Sequence, residues 1–254
     1  MKNRHGFTII EVSFFLAITG LLFLAVTIGV QSSIYRQRYN DSVQSFVEFL
    51  RGVYAETTNV QNNGTGRSDS AIYGKLVTFG ESKNLLGEAN TDKAMFVYDV
   101  VGDIEGMDSS GSSDIKTLLA SKKVNVMVEK DTGEMELAGI VESYVPKWSA
   151  KIQNTAGGDF AGALLIIRHP RSGDVYTLFK DNGAIEVNEN KSAIHDYTWF
   201  VNQLSGFKVD NVDFCITPDG FTGGEGRADV RVKKWASGSS GVEVINDSSD
   251  NNCN

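Results

Sequence analysis

A chain of 254 residues with 41% apolar side chains can build one sizeable core, or two small ones, once a membrane-like N-terminal stretch is set aside. Its formal charge of -8, two units more acidic without Lys2 and Arg4, repels phosphate on average and makes a poor general nucleic-acid binder, although a local basic patch can still exist. The 26 glycines against 3 prolines, with many Ser, Asn and Asp, indicate a β-rich domain with many turns.

The first element is an apolar helix. Residues 12–30 carry no charge, and the uncharged run continues to Tyr35. At ~1.5 Å per residue, 12–30 spans about 28 Å, close to a bilayer core. Glu11 stands at its start, and a carboxylate there costs several kcal/mol unless partnered. A cleaved signal peptide would use Lys2 and Arg4 as its basic region. The stretch is too long for that, Glu11 interrupts it, and no A-x-A site closes it. A plain signal anchor leaves Glu11 unexplained, and Arg36 and Arg38 balance Lys2 and Arg4 in the positive-inside comparison.

The run accounts for every piece in a third way. Lys2 and Arg4, then Gly6, Phe7 and Glu11, resemble the type IV prepilin signature: a short basic leader ending in Gly, an aromatic residue, and Glu five places after the cut. The resemblance covers about the first 30 residues. It implies that residues 1–6 are a leader, that prepilin peptidase cuts between Gly6 and Phe7, and that it methylates the new Phe7 amine. It also implies that the apolar stretch is kept, first as an anchor and later as filament core. Glu11 would then meet the amine of a neighbouring subunit, so that two charges costly in lipid neutralise each other and set axial register; the alternatives are a pair with the Phe7 amine of its own chain and a carboxylate that snorkels to the interface.

The helical pattern continues past the membrane stretch. Tyr39, Val43, Phe46, Val47, Leu50, Val53 and Tyr54 form one helical face. The sequence therefore predicts one long helix from about 7 to 60, with an apolar half over 7–35 and an amphipathic half over 36–62. Asn62, Asn63, Gly64 and Gly66 stop it. The stripe is too short for a coiled coil of several heptads. Strands are predicted over 72–79 and 95–101. Val124, Val126 and Val128 read as one arm of a hairpin whose turn is Asp131-Thr132-Gly133 and whose return carries Met135 and Leu137. Residues 163–168 and 175–179 read as a clearer hairpin. A short helix capped by Ser192 is expected over 192–204, a strand pair over 209–217 and 228–235, and a last strand over 242–245. Such an antiparallel sheet can set one face on the helix and one toward solvent or a neighbour. Residues 102–113, 236–241 and 246–252 read as surface loops.

Cys215 and Cys253 both fall in the last fifth of the chain. Outside the cytoplasm they can pair, and closing that loop would stabilise the fold by about 4 kcal/mol; the alternative is two unpaired thiols. The resemblance favours a disulfide-bounded region over 215–253. Arg227, Arg231, Lys233 and Lys234 beside Trp235 form the basic cluster. Arg231, Lys233 and Trp235 could share a strand face and contact DNA backbone and bases, against the plainer reading of a solvated edge strand. Asp103, Glu105, Asp108 and Asp114 could hold calcium, but their spacing fits no EF-hand, and a solvated loop is the simpler reading. His5, His169 and His195 belong to no H-E-x-x-H, G-x-S-x-G or C-x-x-C pattern, so neither an enzyme, a metal site nor a cofactor is expected.

The expected fold is α+β and type IV pilin-like: a long N-terminal helix packed on an antiparallel β-rich domain over 63–254. The expected role is a structural subunit, a minor pilin or pseudopilin, of a type IV pilus or related filament. A weaker, motif-poor similarity points to the FimT/FimU and GspH-like minor subunits. Implied partners are prepilin peptidase, other pilins, the assembly platform and ATPase, and the membrane, with nucleic acid disfavoured. The implied location is a single pass of the cytoplasmic membrane, N-terminus inside and domain outside, and then the filament. The alternatives are a tip subunit contacting DNA or a surface, and a type II secretion pseudopilin.

Overall fold

The computed structural model of the protein describes residues 7–58, 70–80, 94–103, 125–129, 135–136, 142–168, 173–181, 202, 206–218, 227–234, 236–245 and 253, with the backbone alone at 70–73, 101–103, 125–129, 135–136 and 181. Gly6, the acidic residues Glu105, Asp108 and Asp114, His169, His195, Trp235 and nearly all of the helix expected over 192–204 lie outside the described residues. The chain forms two compact units, Met1–Asp41 and Ser42–Asn254.

One helix, α1 (Ile9–Thr58), is 50 residues long. No proline occurs in it, so its hydrogen-bond ladder is unbroken. Within the first unit its apolar side chains, among them Phe15, Leu22 and Ile28, are exposed. In the second unit its buried residues are Ser42, Val43, Phe46, Val47, Phe49, Leu50, Val53, Tyr54 and Thr57. Their spacing of three and four is the apolar stripe read from the sequence without its first member, the half-buried Tyr39, and widened by Ser42, Phe49 and Thr57.

Eleven strands make two antiparallel sheets among the described residues. The larger contains β1 (Ser70–Phe79), β2 (Met95–Asp103), β3 (Asn125–Glu129), β4 (Met135–Glu136), β5 (Glu142–Tyr144), β7 (Gly162–Arg168) and β8 (Val175–Asp181). Its order is β4-β3-β2-β1-β7-β8, with β5 beside β3 along the same edge of β2. The smaller contains β6 (Lys151–Gln153), β9 (Val212–Thr217), β10 (Ala228–Val232) and β11 (Val242–Ile245), in the order β11-β10-β9-β6. The two expected hairpins are present as β3–β4 and β7–β8, and the late strand pair as β9–β10.

The expectation of one solvent-facing side fails for the central strands. Successive residues Leu164, Leu165 and Ile166, and Leu76 and Val77, are all fully buried. Since neighbours along a strand point to opposite faces, both faces are covered there. The unbroken apolar run at 163–167 has this meaning, because a half-exposed strand would alternate. Residues 236–241 expose Ser237, Ser239 and Ser240 as a surface loop would, while Ala236 and Gly241 are buried at its ends and Ser239–Gly241 forms a 3-10 turn leading into β11.

Phe214 of β9 joins the layers. Its ring lies 5.4 Å from Phe46 of α1, 5.0 Å from Phe79 of β1 and 4.6 Å from Phe160. Polar ties hold the helix to both sheets. Arg51 Nη2 donates to the Val242 carbonyl at 2.9 Å, and Arg168 Nη1 donates to the Thr58 carbonyl at 3.1 Å, satisfying one of the carbonyls a helix end leaves open. Tyr54 and Thr177 share a 2.6 Å hydrogen bond, and the Thr177 hydroxyl donates on to the Ala236 carbonyl at 3.1 Å. Burial pushes the Tyr54 phenol well above its ordinary pKa, offset in part by that bond. Lys75 of β1 sits between Glu56 of α1 and Asp99 of β2, each 2.8 Å from its amine. Gly74, at a register shift between β1 and β2, lets β7 approach so closely that a Cβ there would fall on the Ile166 carbonyl oxygen. Between β5 and β6, Trp148 and Ser149 take left-handed backbone with φ of 58 and 57, which costs a non-glycine residue about 1–2 kcal/mol.

Candidate functional site

The N-terminus of α1 is built around Thr8 and Glu11. The Thr8 N–H donates to Glu11 Oε2 at 2.8 Å and the Thr8 hydroxyl donates to the same oxygen at 3.0 Å. In return the Glu11 N–H donates to Thr8 Oγ1 at 3.3 Å. The Thr8 carbonyl accepts the first helical bond, from the Val12 N–H at 3.2 Å. This is a reciprocal capping box, with Thr8 as N-cap and Glu11 in the first turn. It satisfies two backbone donors and sets a carboxylate against the positive end of the helix dipole. The signature Thr8-Ile9-Ile10-Glu11 was readable in the sequence, and Thr8 is the residue that a reading centred on Glu11 alone passes over.

Three hydroxyls further along the segment find their partners within the helix itself. Ser13, Thr19 and Thr27 donate their hydroxyls to the carbonyls of Ile9, Phe15 and Phe23 at 2.9, 2.8 and 2.7 Å. Such back-bonding lets a hydroxyl reside in hydrocarbon. The helix is long and apolar enough to cross a membrane. Phe7 lies just before α1 and is exposed.

The second candidate surface is the outer face of the smaller sheet. Cys215 and Cys253 form a disulfide with Sγ atoms 2.02 Å apart, and both residues are buried. The bridge therefore brings the end of the chain onto β9. Arg231 faces Asp213 and Glu243 across the sheet. Its Nε is 2.6 Å from Asp213 Oδ1 and its Nη2 is 3.4 Å from Asp213 Oδ2, a forked pair. Its Nη2 also lies 3.7 Å from Asp229 Oδ2. Lys233 Nζ is 2.6 Å from Glu243 Oε2. β10 is thus an internal strand rather than an edge, and the two cations proposed for DNA each face a carboxylate. A phosphate would have to displace those carboxylates first.

Among the described residues, no three of His, Cys, Asp and Glu come together as a metal site. No family model, curated protein or solved structure matches this chain.

Proposed function

We propose that the protein is a structural subunit, a minor pilin or pseudopilin, of a type IV pilus or related filament. The observation that carries this reading is the run Gly6-Phe7-Thr8-Ile9-Ile10-Glu11 at the head of an uninterrupted 50-residue helix whose first part exposes apolar side chains. In this reading prepilin peptidase cuts between Gly6 and Phe7 and methylates the Phe7 amine. The helix first holds the chain in the cytoplasmic membrane, with the β unit outside, and later packs with other pilins as the assembly platform and ATPase extract it.

The capping box engages one carboxylate oxygen of Glu11, and we assign the other to the amine of a neighbouring subunit. Each charge alone is expensive in lipid, and together they are tolerated only in register. Glu11→Ala and Glu11→Val should leave the protein membrane-bound and absent from sheared filaments. Mass spectrometry of those filaments should find N-methylated Phe7 in the wild type. Normal incorporation of both variants, or an unprocessed N-terminus in filaments, would sink the assignment.

A further inference from the structure

The turn between β5 and β6 departs from its surroundings. Trp148 and Ser149 adopt consecutive left-handed conformations without a glycine. Such backbone persists only where neighbours over-determine it. Here Pro146 precedes the turn, and the Ala150 N–H closes it on the Lys147 carbonyl at 3.2 Å, with Ala150 itself buried. Tyr144 anchors the entry by stacking on Phe49 at 4.5 Å and donating to Ser45 Oγ at 3.3 Å. Trp148 is 54% exposed and Val145 47% exposed. Lys147 and Lys151, which flank Trp148 in the sequence, are exposed as well.

The position of the turn narrows what it could meet. Ser45, Phe46 and Phe49 belong to the first turns of helix in the second unit, and Tyr144 packs on all three. The turn therefore starts from the end of that unit at which the chain enters. Only residues 36–41 separate that entry from the uncharged run ending at Tyr35. An indole with an aliphatic neighbour and two flanking lysines is the composition favoured at a lipid headgroup layer. The lysines matter because the chain as a whole, at -8, is repelled by an anionic surface.

We propose that the Trp148 turn seats this end of the β unit on anionic phospholipid, with Trp148 and Val145 at headgroup depth and Lys147 and Lys151 at the phosphates. The inference rests on the membrane reading of α1. Each lysine at such a surface changes association about fivefold, so removing both should lower the ratio of seated to lifted molecules roughly 25-fold.

The test uses the full chain reconstituted in phosphatidylcholine vesicles, with and without phosphatidylglycerol, that carry brominated acyl chains. Tryptophan emission should be quenched, and more so with phosphatidylglycerol. Trp148→Phe should remove most of the quenched signal, whereas Trp199→Phe and Trp235→Phe should keep it. Lys147→Gln with Lys151→Gln should abolish the dependence on phosphatidylglycerol. Resistance to alkaline extraction reports insertion of α1 separately. Inserted protein whose quenching is unchanged by Trp148→Phe overturns the inference and leaves the anchor intact. Quenching of Trp148 by a single-stranded oligonucleotide but not by lipid would make the turn a base-stacking platform and overturns it too. Protein released by alkali overturns the anchor and the inference together.

Discussion

Phe214→Ala tests whether the helix and both sheets share one core. The ring is fully buried and contacts Phe46, Phe79 and Phe160 at 5.4, 5.0 and 4.6 Å, so one truncation leaves a void bordered by α1 and both β layers. Phe→Ala in a core costs about 3–5 kcal/mol, from lost transfer energy plus the cavity. Three ring contacts, each worth about 0.5–1.5 kcal/mol beyond burial, place this site in the upper half, near 4 kcal/mol. That is a large share of the roughly 5–15 kcal/mol that stabilises a domain. Urea titration of the full chain in detergent, followed by near-ultraviolet circular dichroism, reads the loss directly. Phe214→Leu, which fills most of the volume, should cost only about 1 kcal/mol. Combining Phe214→Ala with Phe46→Ala should show a coupling of about 0.5–3 kcal/mol, because the two rings face one void. A cost below about 1 kcal/mol for Phe214→Ala, or strict additivity with Phe46→Ala, would refute a shared core.

Other perturbations reach separate features. Lys75→Met leaves the Asp99 carboxylate uncompensated, and a broken buried pair costs about 3–5 kcal/mol; with the Asp99 and Glu56 side chains 14% and 52% exposed, about 2 kcal/mol is expected by denaturant titration. Burial pulls the Lys75 amine down, but hydrogen bonds and charge from Asp99 and Glu56 outweigh it and raise its pKa above the ordinary 10.5. Its contribution is therefore complete below pH 10.5 and fades as pH rises through the higher folded value, so the wild type should lose more stability there than Lys75→Met, in which the buried Tyr54 still titrates but this amine does not. Opening the 38-residue disulfide loop by Cys215→Ser with Cys253→Ser should cost about 4 kcal/mol, and an unchanged melting temperature in those serines would contradict the loop-entropy argument. Gly74→Ala should destabilise by about 3 kcal/mol or more, since β1 and β7 must part to admit the methyl; a soluble, equally stable variant would show that the close approach is not needed.

The long helix and most strands were legible because each carries a strong local pattern. Periodic Val43, Phe46, Val47, Leu50 and Val53 mark one face of α1, and the apolar run at 163–167 marks β7. β5 and β6 were not legible. Glu142-Ser143-Tyr144 and Lys151-Ile152-Gln153 are three residues each, with no apolar run, and they exist as strands only through pairing with β2 and β9. The left-handed turn at Trp148 lacks the Gly, Asn or Asp that normally announces one. The charge strip at Arg231 and Lys233 looked basic because Asp213 and Glu243, which face β10, lie on other strands. At the head of α1 the relation was local, and Thr8 with Glu11 could have been read from spacing alone.

The disulfide also fixes how the β unit would extend under tension. β9 lies between β10 and β6, so Cys253 fastens the end of the chain to an internal strand rather than to an edge that could peel. A pull between the helix and the C-terminus would bypass the 38-residue loop. At ~3.4 Å per residue, about 130 Å of contour length stays hidden until the bridge is reduced. Redox state would thus set the reach of the unfolded chain.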